Sequence, residues 1–359
     1  MRRKCPTDFK FIIKKRRYSM DFNLISNDIA IDLGSSNTRI YIKGRGLVLE
    51  EPSVIAYDTQ SGDIIAAGSD AYQMLGRTPA AVAAVYPLSG GVISDCLFAE
   101  ELLKSFIRRV SPKTLIKPRI IMSVPCDVTD VERRALRDAA IVAGARKVYI
   151  MEAPIAAAIG ASCDISLARG LMVADLGGGC FDIAAISLGQ TSASLSHKLA
   201  GGSFTDALIE YFRDRYSLAV GFISAERCKL EIGCVFPRDT SSQFEIAGLD
   251  ISTGLPKSVM VTSEETKDAF SSVCTSLADA IQTVLDKTPS ELVGDIMEDG
   301  ILLTGGAAQI YGLVTRLKID TGFKVFLAPD SGLCVVRGLA AAIENIDKIS
   351  NDSYMLYQG

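Results

Sequence analysis

Apolar and polar positions alternate along this chain in two runs of the same shape. The run "IAIDLGSSNTRIYIKG" from Ile29 and the run "LMVADLGGGCFDIAAISLG" from Leu171 each open with an apolar strand ending in Asp-Leu-Gly. Both then pass through small or polar residues and resume as a second apolar strand. A hydrophobic run broken by glycine and resumed with alternation predicts a β-hairpin, so the pair predicts an internal duplication, one hairpin per lobe. A third run, "GILLTGGAAQIYGL" from Gly300, predicts a buried strand entering Gly305-Gly306 and then a helix, leaving backbone N–H groups free near a helix start.

The clearest helical pattern is "VPCDVTDVERRALRDAAIVAGA". Thr129 and Glu132 have capping-box spacing, Val131, Ala135, Ala139 and Val142 recur at helical spacing, and Gly144 is a stop, so the helix is expected from Asp130 to Ala143. A second helix is expected through "APIAAAIGAS" after Ala153, with Pro154 in its first turn. Strand patterns "RIIMSVP" and "KVYIM" alternate with these helices, which gives an α/β protein with a mixed sheet in each of two lobes.

Composition narrows what such a fold does. With 38 basic against 42 acidic residues the chain has no basic field of the kind nucleic acid selects, so nucleic acid is not an expected partner. Nine cysteines without a C-x-x-C pair, and no secretory signal, point to a reducing cytoplasm. The single histidine, His197, leaves no basis for a multi-histidine zinc site and is read as structurally incidental. No apolar run reaches the roughly 18 to 20 residues a membrane-spanning helix needs. The first twenty residues differ in kind. Basic residues from Arg2 to Arg17 surround Phe9, Phe11, Ile12 and Ile13, a pattern that favours an anionic membrane surface. A disordered tail, or sequence upstream of a start at Met20, explains the same residues.

The turns carry the candidate chemistry. An ATP-type ligand needs main-chain donors for its phosphates and carboxylates that hold Mg2+ through water. Gly34, Ser35, Asn37 and Thr38 form one candidate phosphate hairpin and Gly177, Gly178 and Gly179 the other. Asp32 and Asp175 are then expected to face each other across a cleft beside the metal. One Asp-Leu-Gly-Gly-Gly turn is explained equally well by a tight structural turn; two hairpins followed by Leu303-Thr304-Gly305-Gly306 are far more specific.

That order resembles the superfamily of actin, heat-shock chaperones and sugar kinases. "IYIKGRGLVLEEPSVIAYD", "LEIGCVFP", "STGLPKSV" and "ILLTGGAAQIYGL" look like the bacterial actin MreB family, a resemblance running from about Asn27 to Ile346. It implies an actin-like ATPase fold of two duplicated lobes, four subdomains in all, around a nucleotide cleft. By position, a basic extension covers residues 1–26 and a C-terminal tail residues 349–359. Lobe I covers 27–164 with 330–348 (small subdomain about 53–96), and lobe II covers 165–329 (small subdomain about 203–266). It also implies ATP and Mg2+ as cofactors, filaments of paired protofilaments built with itself or with another family member, peripheral attachment at the inner face of the membrane, and the cell-wall elongation machinery as partner.

Carried over by position, Gly305 and Gly306 lie near the adenosine. Glu226 and Lys229 become ribose or adenine contacts, although a solvated helical face accounts for the same pair. Leu115 and Ile116 in "SPKTLIKPR" match a lipid-inserting loop, where the ordinary alternative is a buried loop. Val131, Arg134 and Arg137, with Arg133, match the helix that pairs protofilaments, against a solvated arginine face as alternative.

Two positions depart from the family pattern. Members usually read Glu-Glu-Pro before the small-residue helix, and the second glutamate positions the attacking water; here "MEAP" keeps Glu152, a substitute candidate, and puts Ala153 at the catalytic position. The family's Gly-Gly-Gly-Thr-Thr-Glu becomes Gly179-Cys180-Phe181-Asp182, replacing a second water-organising group with a thiol. No catalytic position is intact, so ATP hydrolysis is expected to be impaired while binding persists. A small-molecule kinase and a chaperone-like ATPase of the same superfamily are the alternative functions.

Overall fold

The computed structural model of this chain describes residues 28–111, 116–349 and 357–358. The basic extension, Leu115 and most of the C-terminal tail lie outside the described residues.

Ten strands build two five-stranded cores of identical design. In the first, β1 (Ile29–Leu33), β2 (Asn37–Ile42) and β3 (Gly46–Pro52) form an antiparallel meander, and β4 (Arg119–Val124) and β5 (Lys147–Glu152) add in parallel beside β1. The second repeats the plan with β6 (Leu171–Leu176), β7 (Phe181–Ser187) and β8 (Gln190–His197) as the meander. There β9 (Ile301–Thr304) and β10 (Val325–Leu327) lie parallel beside β6. The duplication expected from the two Asp-Leu-Gly runs is therefore a duplication of whole sheets. A last strand, Tyr357–Gln358, pairs antiparallel with β5 and lengthens the first sheet at that edge.

Both sheets are covered on both faces, which is why their central strands read as nearly continuous apolar runs. On one side of the first sheet, Ile29, Ile31, Ile40 and Ile42 pack with Leu102 and Phe106 of α1 (Cys96–Val110) and Leu136 and Ala140 of α2 (Asp130–Val142). Met172, Ala174, Phe181 and Ile183 of the second sheet pack on Phe204 of α4 (Gly201–Tyr216) and on Phe270 and Leu277 of α6 (Ser263–Lys287). Between them, α5 is Phe222–Ile232.

The inner faces meet in a third cluster. Ala30, Ile121 and Tyr149 of one sheet and Val173, Ala184 and Ile186 of the other enclose α3 (Ala153–Gly160) and α7 (Cys334–Glu344). These two helices cross at backbone contact. A methyl group added at Gly160 would lie 1.8 Å from the Cys334 carbonyl oxygen, and one at Gly338 would lie 1.8 Å from that of Ala156. The small-residue run "APIAAAIG" thus makes not merely a helix but one that α7 can meet backbone to backbone between the two sheets.

Local expectations hold at α2, where Thr129 and Glu132 form the reciprocal capping box and Ala143 is the C-cap before Gly144 at φ 119°. The run after Gly306 differs from its expectation. Only a 3-10 turn, Ala307–Gln309, follows the strand, and the helix proper, Leu313–Thr321, waits for Gly312 at φ 81°. Gly312 closes against Phe236, whose Cβ would be 2.3 Å from an added methyl, so the chain turns away before it can wind. The N–H groups of that helix start are accordingly not adjacent to Gly306.

Candidate functional site

The two hairpin turns are built alike. Gly34 N–H donates to the Asn37 carbonyl at 3.2 Å and Gly177 N–H to the Cys180 carbonyl at 2.9 Å, closing the same four-residue turn in each lobe. They meet tip to tip: a methyl on Gly178 would stand 2.0 Å from Ser36 Oγ, and one on Gly179 would stand 2.5 Å from Ser35 Cβ. Side chains there would hold the lobes apart, so glycine leaves a narrow cradle lined by main chain. Ser35 Oγ accepts a hydrogen bond from Gly91 N at 2.9 Å, which anchors the first turn.

Thr38 corrects the sequence reading. It is fully buried and its hydroxyl lies 2.8 Å from Ser53 Oγ, which in turn donates to the Gly34 carbonyl at 2.6 Å. In the hairpin register Thr38 faces Leu33, placing it on the same sheet face as the core residues Ile40 and Ile42 and turned away from the cleft. Thr38 therefore braces the turn from behind.

The two acidic residues end equivalent strands. Asp32 closes on Ser123, whose Oγ donates to Oδ1 at 2.9 Å, while Arg39 Nη1 lies 3.6 Å from Oδ2. Asp175 Oδ1 accepts from Thr304 Oγ1 at 2.7 Å. Burial pushes the Asp175 carboxyl up to about 7; the Asp182 and Asp32 charges add to this, and the Thr304 hydrogen bond and Arg39 oppose it. Burial raises Asp32 as well, opposed by Arg39 and Ser123. Two buried carboxyls that sense each other form a site that a cation relieves. The donor set fits Mg2+ held through its own waters. Among the described residues no group of three or more His, Cys, Asp or Glu gathers into an all-protein metal cage.

Beyond the carboxylates lies a cavity of about 570 Å³, bounded on one side by Arg39 and Glu50 and on the other by Gln309, Asp330, Ser331 and Gly332. Its volume is in the range of small-molecule sites. Gly305, at φ 92°, donates its N–H to the Ser331 carbonyl at 3.0 Å and packs so tightly that an added methyl would be 2.1 Å from the Leu176 carbonyl oxygen. Gly306 has open space beside it. Arg39 escaped the motif-based reading, although the β1–β2 register places it directly opposite Asp32 on the same sheet face.

Glu226 and Lys229 on α5 are not a solvated face. Lys229 is buried, and its Nζ donates to the Gly201 carbonyl at 2.8 Å and to Thr205 Oγ1 at 3.0 Å while pairing with Glu226 Oε2 at 2.6 Å. Lys229 thus clamps α5 to α4. Glu226 keeps an accessible edge, and after burial its charge is a further cause of the raised Tyr72 and Tyr86 hydroxyls.

At the altered catalytic positions, Ala153 is the first residue of α3, nearly buried, and Glu152 is its N-cap residue. Glu152 Oε2 accepts from Thr191 Oγ1 of β8 at 2.6 Å. Cys180 Sγ lies 2.9 Å from Ser196 Oγ. Burial, then the Asp182 charge, pushes this thiol far above its usual range, so it is neutral and unreactive. His197 accepts the Leu199 N–H on Nδ1 at 3.0 Å, a local turn contact. The surface candidates lie elsewhere: Ile116 is exposed, Val131 is 79% exposed, Arg134 is exposed and Arg137 partly so, whereas Arg133 is 21% exposed and pairs with Asp130.

Comparison with known proteins gives one consistent answer. A model described as MreB/Mbl protein matches residues 26–351. The "Cell shape-determining protein MreB" of Escherichia coli (strain K12) is 42% identical over 337 residues, covering 92% of this chain and 97% of that protein. The "Cell shape-determining protein Mbl" of Bacillus cereus is 40% identical over 91% of this chain and 98% of that protein. Among solved structures, MreB5 of Spiroplasma citri bound to ADP superposes with a TM-score of 0.87 at 35% identity, over 91% of this chain and 99% of that one. The same protein bound to AMPPNP superposes with the same TM-score.

Proposed function

This chain belongs to the MreB/Mbl protein family, and on that footing we propose that it forms ATP-bound, membrane-associated filaments that organise cell-wall synthesis and cell shape. The observation that carries the nucleotide part is the meeting of two glycine turns beside the paired carboxyls Asp32 and Asp175. Main-chain groups of Gly34, Ser35 and Gly177 to Gly179, with Asn37, hold the phosphates. Asp32 and Asp175 hold the magnesium through water, and Gly305, Gly306 and Glu226 border the nucleoside. Bound Mg2+ neutralises phosphate charge. A solved relative bound to ADP and to AMPPNP supports this assignment.

Hydrolysis is the impaired step. Ala153 has no group to orient water, and the neutral Cys180 thiol is a poor hydrogen-bonding replacement for a hydroxyl. Neither alternative function is favoured, because the matches run over 97% and 98% of curated proteins named as cell shape-determining. Among the described residues no helix is long and apolar enough to cross a membrane.

Electron microscopy of purified protein with ATP and Mg2+ tests the reading, with double filaments as the expected result. Charge reversal at Arg134 and Arg137 on the outer side of α2 is expected to leave single filaments or dispersed protein. Double filaments that persist unchanged would remove α2 from the pairing contact. For the membrane, burial of two aliphatic side chains contributes a few kcal/mol at most, so a second anchor in the basic extension is expected. Co-sedimentation with anionic liposomes should fall with Leu115→Ser/Ile116→Ser and fall further when residues 1–19 are also removed. Sedimentation that both changes leave intact would contradict it.

A further inference from the structure

Arg39 is the one cation bordering the cleft cavity among the residues that line it. Its side chain is only 16% exposed. Nε donates to Glu50 Oε1 at 2.8 Å, and Nη1 stands 3.6 Å from Asp32 Oδ2, beyond direct hydrogen-bond reach. A guanidinium carries five N–H donors, so one bond to Glu50 leaves the terminal nitrogens to serve the cavity. Nη2 reaches across it: a methyl placed on Gly332, in the opposite wall, would lie 3.7 Å away. That same wall holds Ser331, 2% exposed, whose hydroxyl has no hydrogen-bond partner in the structure. A buried, unpartnered hydroxyl beside a cavity marks a place where a ligand atom completes the bonding.

A purely structural role for Arg39 explains less. The pair with Glu50 links β2 to β3, but that carboxylate is 49% exposed, and exposed pairs contribute little. The position is also on the inward sheet face, in register with Asp32.

Resting on the nucleotide reading above, we propose that Arg39 is a phosphate-binding residue of this cleft, its guanidinium donating to the nucleotide's phosphate chain from beside Asp32. Arginine suits the task because its planar donors match phosphate oxygens two at a time, and it keeps its charge next to two acidic groups. Asp32 and Glu50 hold the guanidinium on the cavity side.

The test compares ligands that differ only in phosphate. Wild type, Arg39→Gln and Arg39→Lys would each be titrated by competition against a fluorescent ADP, using ADP and adenosine with Mg2+ present throughout. Arg39→Gln is expected to weaken ADP about 10- to 100-fold and adenosine less than about 3-fold, with Arg39→Lys between wild type and Arg39→Gln for ADP. Equal losses for both ligands, or an ADP affinity within about 3-fold of wild type, would overturn the assignment. If Arg39→Gln does not fold, Arg39→Lys decides: it should weaken ADP several-fold and leave adenosine unchanged, and no change in ADP overturns the proposal. Wild type that binds neither ADP nor adenosine would instead refute the nucleotide reading itself.

Discussion

The double change Ala153→Glu with Cys180→Thr is expected to raise phosphate release from ATP by about 100-fold or more over the unmodified protein, and by more than either change alone. A water-orienting or general-base group contributes about 10²- to 10⁴-fold, and two groups acting on one water are coupled rather than additive. Position 153 opens a helix, where a carboxylate is favoured by the N-terminal dipole, and position 180 already faces the Ser196 hydroxyl at 2.9 Å. Phosphate release would be followed for all four proteins alongside ATP affinity. Normal affinity with no gain in rate would show that these two positions do not form the hydrolytic centre.

The second large effect concerns the two helices packed between the sheets. Gly338→Ala is expected to destabilise the protein by about 3 kcal/mol or more, measured by urea unfolding, because its methyl would meet the Ala156 carbonyl oxygen at 1.8 Å. Alanine in place of glycine inside a helix ordinarily stabilises by about 1 kcal/mol through chain entropy, so here the clash must outweigh a favourable term. Gly294 provides the control. It lies in the helix Ser290–Asp299 with nothing within 4 Å of an added methyl, and Gly294→Ala should be neutral or mildly stabilising. Equal effects at the two positions would mean that α3 and α7 do not meet at backbone contact.

Much of this design is written in local pattern. Two Asp-Leu-Gly runs disclosed two hairpins because strand, glycine turn and strand are set by neighbours in sequence, and Thr129 with Glu132 disclosed a capping box for the same reason. Thr38 was misplaced by trusting its position in a motif over the alternation of a strand: in register with Leu33, it belongs to the core row of Ile40 and Ile42. Arg39 could have been found by that alternation, since it shares a face with Asp32. What Arg39 faces could not, because Gln309 arrives from the other lobe and Ser331 and Gly332 from a segment far along the chain. Gly312 misled in the opposite direction. It looked like part of a helical run, and only contact with Phe236 reveals why the helix starts after it. The backbone contact of α3 with α7 likewise depends on two segments far apart in sequence, visible beforehand only as an excess of small residues.

The most direct test of a cleft that holds nucleotide and cuts it poorly is a single-turnover measurement on the unmodified protein. Protein in excess over ATP, with Mg2+, would be sampled over time for bound nucleotide and for the ATP to ADP ratio, with Escherichia coli MreB run in parallel. The predicted result is ATP bound in proportion to the protein and retained as ATP long after the relative has converted its own to ADP. Conversion to ADP at the relative's pace, or no retained ATP at all, would contradict it.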